Sequence, residues 1–161
     1  MAIKKKQLAT INSAISKLLE DGTKSKTLTY ALVKNIKKLE PEIEALNKAL
    51  ETDSEDFKAY VQATRAIYEE FVATDDNGNF KIVQNGIILK NPEDKDVVQK
   101  LITELDEKYT DAITERNVEL SKYNELLEEE SDVEFVKIKL SDLPEEVTGE
   151  IIYILDEIIE A

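Results

Sequence analysis

Leu28, Leu32, Ile36, Leu39, Ile43, Leu46 and Leu50 recur at steps of four, four, three, four, three and four residues. Such steps keep side chains on one face of an α-helix, which turns once in about 3.6 residues. A second seam runs through Val98, Ile102, Leu105, Tyr109, Ala112, Arg116, Leu120, Tyr123 and Leu127, with a heptad-like period of about 3.5. Two seams this long commit the chain to helices laid against one another. The second, drawn over residues 92–130, would make a rod of roughly 50 Å at about 1.5 Å per residue. An elongated body is therefore expected, a helical hairpin or coiled-coil-like arrangement.

Punctuation between the seams supplies the remaining elements. Leu8, Ile11, Ile15, Leu18 and Leu19 line a first helix over about 4–21, ended by Asp21-Gly22 with glycine free to take the left-handed cap. The next spans about 24–50, starting in Thr23–Ser25, and Pro41 inside it predicts a kink or a restart. A third, about 54–73, follows the Asp53-Ser54 cap signal and gathers Phe57, Tyr60, Val61, Thr64, Ile67, Tyr68 and Phe71 on one side. Two short apolar runs about Gln84-Asn85 read as a β-hairpin over about 79–90. Asn91-Pro92-Glu93-Asp94 then offers a cap, a first-turn proline and early acids, which mark the start of the long helix. Asp132 to Leu140 alternates polar with apolar residues, a strand able to pair with the hairpin. Thr148 caps a last helix over about 148–160 whose isoleucines are expected to dock in the core. The expected fold is mainly α with a small antiparallel β element, an α+β chain with a two- or three-stranded sheet and a C-terminal helix. All of it is read as a single domain over residues 1–161.

The chain lacks both cysteine and histidine. That excludes disulfides, a thiol nucleophile, a thiolate zinc site, an imidazole base and Glu-x-x-His di-iron ligation. Its four glycines, at 22, 78, 86 and 149, form no phosphate-binding loop. No cofactor is expected, and no catalytic residue is assigned. Met1 to Lys6 is basic like the start of a signal peptide, but Gln7 to Leu19 forms no continuous apolar run, so none is read. Nor does any stretch approach the roughly 20 apolar residues that span a bilayer.

Charge is unevenly placed. Residues 1–48 carry ten lysines against five acids, while the other 113 residues carry 11 basic and 30 acidic side chains, within a net charge of -14. The two parts can neutralise one another inside the fold, or the acidic part can form a binding face. Lys4, Lys5, Lys6, Lys17, Lys24, Lys26, Lys34, Lys37 and Lys38 suggest nucleic acid at first sight. The overall field and the lack of arginine there argue against direct nucleic-acid binding. Asp75-Asp76-Asn77-Gly78-Asn79 resembles the middle of an EF-hand loop. With Gly78 sixth, however, Ala73 and Gln84 occupy the positions of the opening Asp and the closing Glu. An ordinary turn is expected there.

The candidate site is a stripe of carboxylates. Glu104, Glu107, Asp111, Glu115 and Glu119 follow one another by three or four residues, along one side of the long helix and opposite its seam. A solvated stripe offers no desolvated pocket for general acid work, so the chain is expected not to be an enzyme. The stripe either solvates the helix or meets a partner, and carboxylates at this spacing can also stand in for DNA phosphates.

Tyr109, Glu115-Arg116, Leu120 and Tyr123 to Glu130, followed by Val133 to Pro144, resemble a pattern in small bacteriophage and prophage proteins, most of unknown function. The resemblance covers about the last 50 residues. It implies a phage gene product acting in the bacterial cytoplasm and carries no catalytic residue across. The expectation is a non-enzymatic interaction protein that binds a host or phage protein, with a homo-oligomer as one form of it. An acidic DNA-mimic inhibitor of a nucleic-acid-acting defence enzyme is the alternative.

Overall fold

A computed structural model describes residues 2–23, 25–83 and 86–160. The expected Gln84-Asn85 turn and the expected helix start at Lys24 lie outside the described residues. Among those described the chain is mainly α, with one short antiparallel pair of strands and one short parallel pair. It forms two compact units, Met1–Glu51 with Ser121–Ala161, and Thr52–Leu120.

The first unit is built on α1 (Leu8–Glu20) and α2 (Lys26–Leu50). Leu8, Ile11, Ala14, Ile15 and Leu18 of α1 are buried against Leu28, Ala31, Leu32 and Leu39 of α2. At about 25 cal/mol per Å² of apolar surface, burial of this kind is what stabilises two amphipathic helices that would be marginal alone. The turn between them follows its sequence signals. Gly22 takes φ +83°, which costs glycine nothing, and the Ser25 hydroxyl accepts the Leu28 N–H at 3.2 Å to cap α2. α2 runs through Pro41 without a restart. Pro41 is exposed, so water can reach the Lys37 carbonyl that proline leaves without its usual donor.

The C-terminal part of this unit departs from the sequence reading. The stretch drawn as a strand over 132–140 is β-paired only at β3 (Ile138–Lys139), and its partner is not the hairpin but a parallel strand at Ile159–Glu160. Earlier in the stretch the backbone is held by α2 side chains and not by a ladder. Asn35 bonds to both polar groups of Val136, and the Lys38 ammonium donates to the Glu134 carbonyl. The last helix is also shorter than the 148–160 drawn for it. α6 (Gly149–Leu155), capped by Thr148, gives way to one 3-10 turn and then to the strand at Ile159. The β-branched pair Ile158-Ile159 favours that extended exit. Ile151, Leu155 and Ile158 are buried in the core, as expected of a docked segment.

The second unit holds α3 (Glu55–Phe71), the hairpin strands β1 (Ile82–Val83) and β2 (Gly86–Ile87), α4 (Lys95–Lys108) and the start of α5 (Thr110–Glu128). Ser54 caps α3 through the Phe57 N–H at 3.2 Å. Pro92 opens a 3-10 turn before α4, but Asn91 does not cap it. Its amide nitrogen donates to the Asp94 carboxylate at 3.3 Å instead. In place of the single helix expected over 92–130, the chain makes α4 and α5 with Tyr109 at the joint, φ -111° and ψ 22°. The cause is local. The Thr110 hydroxyl donates to the carbonyls of Asp106 at 2.9 Å and Glu107 at 3.0 Å, and such side-chain bonding competes with the helical ladder. Backbone bonds Tyr109 N–Leu105 O and Ile113 N–Tyr109 O, at 3.1 and 3.0 Å, still bridge the joint.

Candidate functional site

All five stripe carboxylates are exposed, Glu104 and Glu107 on α4, Asp111, Glu115 and Glu119 on α5. Because helical bonds bridge Tyr109, their phases at about 100° per residue fall within an arc of roughly 120°. Next to this arc on the same helices Val98 and Ala112 are buried, and α4 packs on α3. There Tyr60 donates to the Asp106 carboxylate at 2.9 Å and meets the Tyr109 ring at 6.0 Å between centroids. Burial, followed by the Asp106 contact, raises the Tyr60 hydroxyl above its ordinary pKa of 10. The α3 side of the joint is therefore fixed by packing.

Two of the five carboxylates are paired on their own helices. Glu104 faces Lys100 at 3.7 Å, and Glu119 accepts from the Arg116 guanidinium at 2.8 Å. Glu107, Asp111 and Glu115 have no side-chain partner among the described residues. Val97 and Val118 fall on the same arc by phase and are 51% and 50% exposed. The face is thus acidic, with one exposed apolar side chain toward each end. The spacing alone revealed the carboxylates. It did not reveal the valines, because single apolar residues off the seam read as noise.

The loop that resembled calcium-binding sequence is a turn. The Asp75 carboxylate accepts the Asn77 and Asn79 backbone N–H groups, each at 2.9 Å, and Gly78 takes φ +82°. Those backbone bonds, that of Asn79 first, hold the Asp75 carboxyl below the usual range. Among the described residues no group of three or more carboxylates is placed to hold a metal ion. No described helix is long and apolar enough to cross a membrane.

The amino-terminal lysines do not form a loose basic arm. Lys4 and Lys6 both reach the Glu128 carboxylate, at 2.7 and 2.6 Å, and Lys5 reaches Glu129 at 2.7 Å. The backbone repeats the connection through Lys5 N–Glu129 O at 2.9 Å and Ser131 N–Ile3 O at 2.8 Å. Hydrogen bonds from Lys4 and then Lys6 pull the Glu128 carboxyl down to about 2, and Glu129 raises the Lys5 ammonium. Part of the charge asymmetry is therefore neutralised inside the first unit, while the carboxylate arc of the second keeps its field. The second unit, residues 52–120, carries 16 acidic against 8 basic side chains, so its surroundings strengthen that field.

No family model, curated protein or solved structure matches the chain.

Proposed function

We propose that this is a non-enzymatic binding protein of a phage or prophage, acting in the bacterial cytoplasm, whose α4–α5 face captures a basic surface on a host or phage protein. One observation carries the reading. Five exposed carboxylates and two half-exposed valines share one arc of a helical pair, next to the side that is already packed. Long-range attraction from such a face speeds encounter with a basic partner, and the valines supply apolar contact once docked. The experiment is capture from bacterial lysate by immobilised protein, read by mass spectrometry. The triple variant Glu107→Lys, Asp111→Lys, Glu115→Lys is expected to lose partners that the unaltered chain retains. Equal capture by both overturns the proposal.

The DNA-mimic reading is the second, favoured by the four-residue repeat from Asp111 to Glu119, which sets carboxylates about 6 Å apart along a rigid helix. Under it the captured partner is a DNA-acting enzyme, and duplex DNA added at low salt displaces it. The homo-oligomer form of the reading, which rests on the helical seams and not on the acidic face, is measured separately by light scattering, with a mass that rises with concentration as the expected result.

A further inference from the structure

The first unit contains a cleft of about 710 Å³ between the end of α1 and the segment that leads into α6. Its lining is part apolar and part polar. Leu18 and Ile151 are buried, and Leu143 and Val147 pack partly buried against the core beside Pro144. Around them stand Asp21, Asp142, Glu145 and Glu146, faced by Lys17 as the one cation among the described lining residues. None of these four carboxylates has a side-chain partner among the described residues. The C-terminal end of the 13-residue α1 opens here too, and its carbonyls add negative potential. Of the three hydroxyls in the lining, on Ser25, Ser141 and Thr148, those of Ser25 and Thr148 accept the Leu28 and Ile151 N–H groups as helix caps.

We infer that this cleft binds a short peptide segment of a partner protein in which apolar side chains alternate with Lys or Arg. The volume lies in the range of ligand-binding clefts, roughly 300–1,000 Å³. The apolar part of the lining takes hydrophobic anchors, and its four carboxylates select cationic flanks. The same carboxylates repel phosphate, which disfavours nucleic acid and anionic membrane surfaces. The cleft belongs to the unit that lacks the α4–α5 face, so this inference stands or fails apart from the preceding proposal.

The test uses the full chain and a dye-labelled peptide of alternating Lys and Leu, followed by fluorescence anisotropy. Saturable binding is expected. The variant Asp142→Asn, Glu145→Gln, Glu146→Gln should weaken it about tenfold or more, whereas Glu107→Gln, Asp111→Asn, Glu115→Gln should change it less than about threefold. A peptide with Ser in place of Leu should bind at least about tenfold more weakly, since the charge is kept and the anchors are gone. Equal loss from both variants, or equal affinity for both peptides, would mean diffuse attraction to an acidic protein and would overturn the inference. Amide shift mapping on the unaltered chain is an independent readout that needs no variant. Shifts confined to residues 17–25 and 141–151 support the cleft, and shifts centred on 104–119 refute it.

Discussion

The Asn35 side chain and the Val136 backbone exchange two hydrogen bonds, Asn35 Nδ2 donating to Val136 O at 2.9 Å and Val136 N donating to Asn35 Oδ1 at 2.8 Å. Asn35 is fully buried, in line with Leu28, Leu32 and Leu39 along α2. One amide thus substitutes for the neighbouring strand that the backbone at Val136 would otherwise need.

Replacing Asn35 by Ala strands both polar groups of Val136, and unfolding by urea should show a loss of roughly 2 kcal/mol. Asn35→Asp separates the two bonds by pH. The buried carboxylate would face the Val136 carbonyl, so its folded pKa should lie above the unfolded value of about 3.9. A raised pKa means the stability is present below the unfolded value and is lost as pH rises through the folded one. The deficit of this variant against the unaltered chain should therefore be small near pH 4 and larger at pH 7. A deficit that does not change with pH contradicts the account.

The same pair marks where the sequence stopped being readable. Leu8, Ile11, Ile15 and Leu18 announced their burial by spacing, and Ser25, Ser54 and Thr148 announced their caps, because those signals act within one or two helical turns. Asn35 sits on the core line of its helix but is polar, so a search for apolar periodicity passes over it. The alternation from Asp132 to Leu140 suggested a ladder, yet the partner groups came from a helix about 100 residues earlier. At the candidate site, exposure of the carboxylates followed from their phase. The joint at Tyr109 did not, since no glycine or proline marks it in the sequence. The cleft lined by Asp142, Glu145 and Glu146 was hidden for a further reason: Ser141 to Pro144 reads as a turn, and concavity arises only when α1 is placed against it.

Glu128 provides a prediction at acidic pH. Its carboxyl is held at about 2 against an ordinary 4.5. A depressed folded pKa gives stability that is present above 4.5 and lost as pH falls toward 2. The difference in Tm between the unaltered chain and Glu128→Gln should therefore be present at pH 6 and shrink as pH approaches 2. Because the side chain is 53% exposed, the difference should also shrink in molar salt. A titration of the Glu128 carboxyl by NMR with a midpoint near 4.5 would remove the basis for both expectations.

The two units differ in how much they bury. The core cluster of thirteen buried residues, from Leu8 to Ile158, lies entirely in the first. In the second, only Val72, Val98 and Ala112 are buried hydrophobics among the described residues, and α3 contributes none. Local opening is easiest where few apolar contacts must be broken. Amides of α3 should accordingly exchange with solvent about ten times faster or more than those in the middle of α1. Matching protection in the two helices would show that the second unit is stabilised by something other than burial.

Asn12 allows a gain of stability to be predicted. It lies within α1, and its Oδ1 is buried without a hydrogen-bond partner among the described residues. An orphaned acceptor has lost its water and gained nothing in return. Asparagine is also a poorer helix former than alanine by roughly 0.5 kcal/mol. Asn12→Ala removes both penalties, and since the side chain is only partly buried, the cavity it leaves should be small. The expected result is a gain of about 1 kcal/mol, seen as a rise of roughly 2–4 °C in Tm for a chain of this length. A fall in Tm would mean that Asn12 contributes packing or bonding that outweighs its unpaired oxygen.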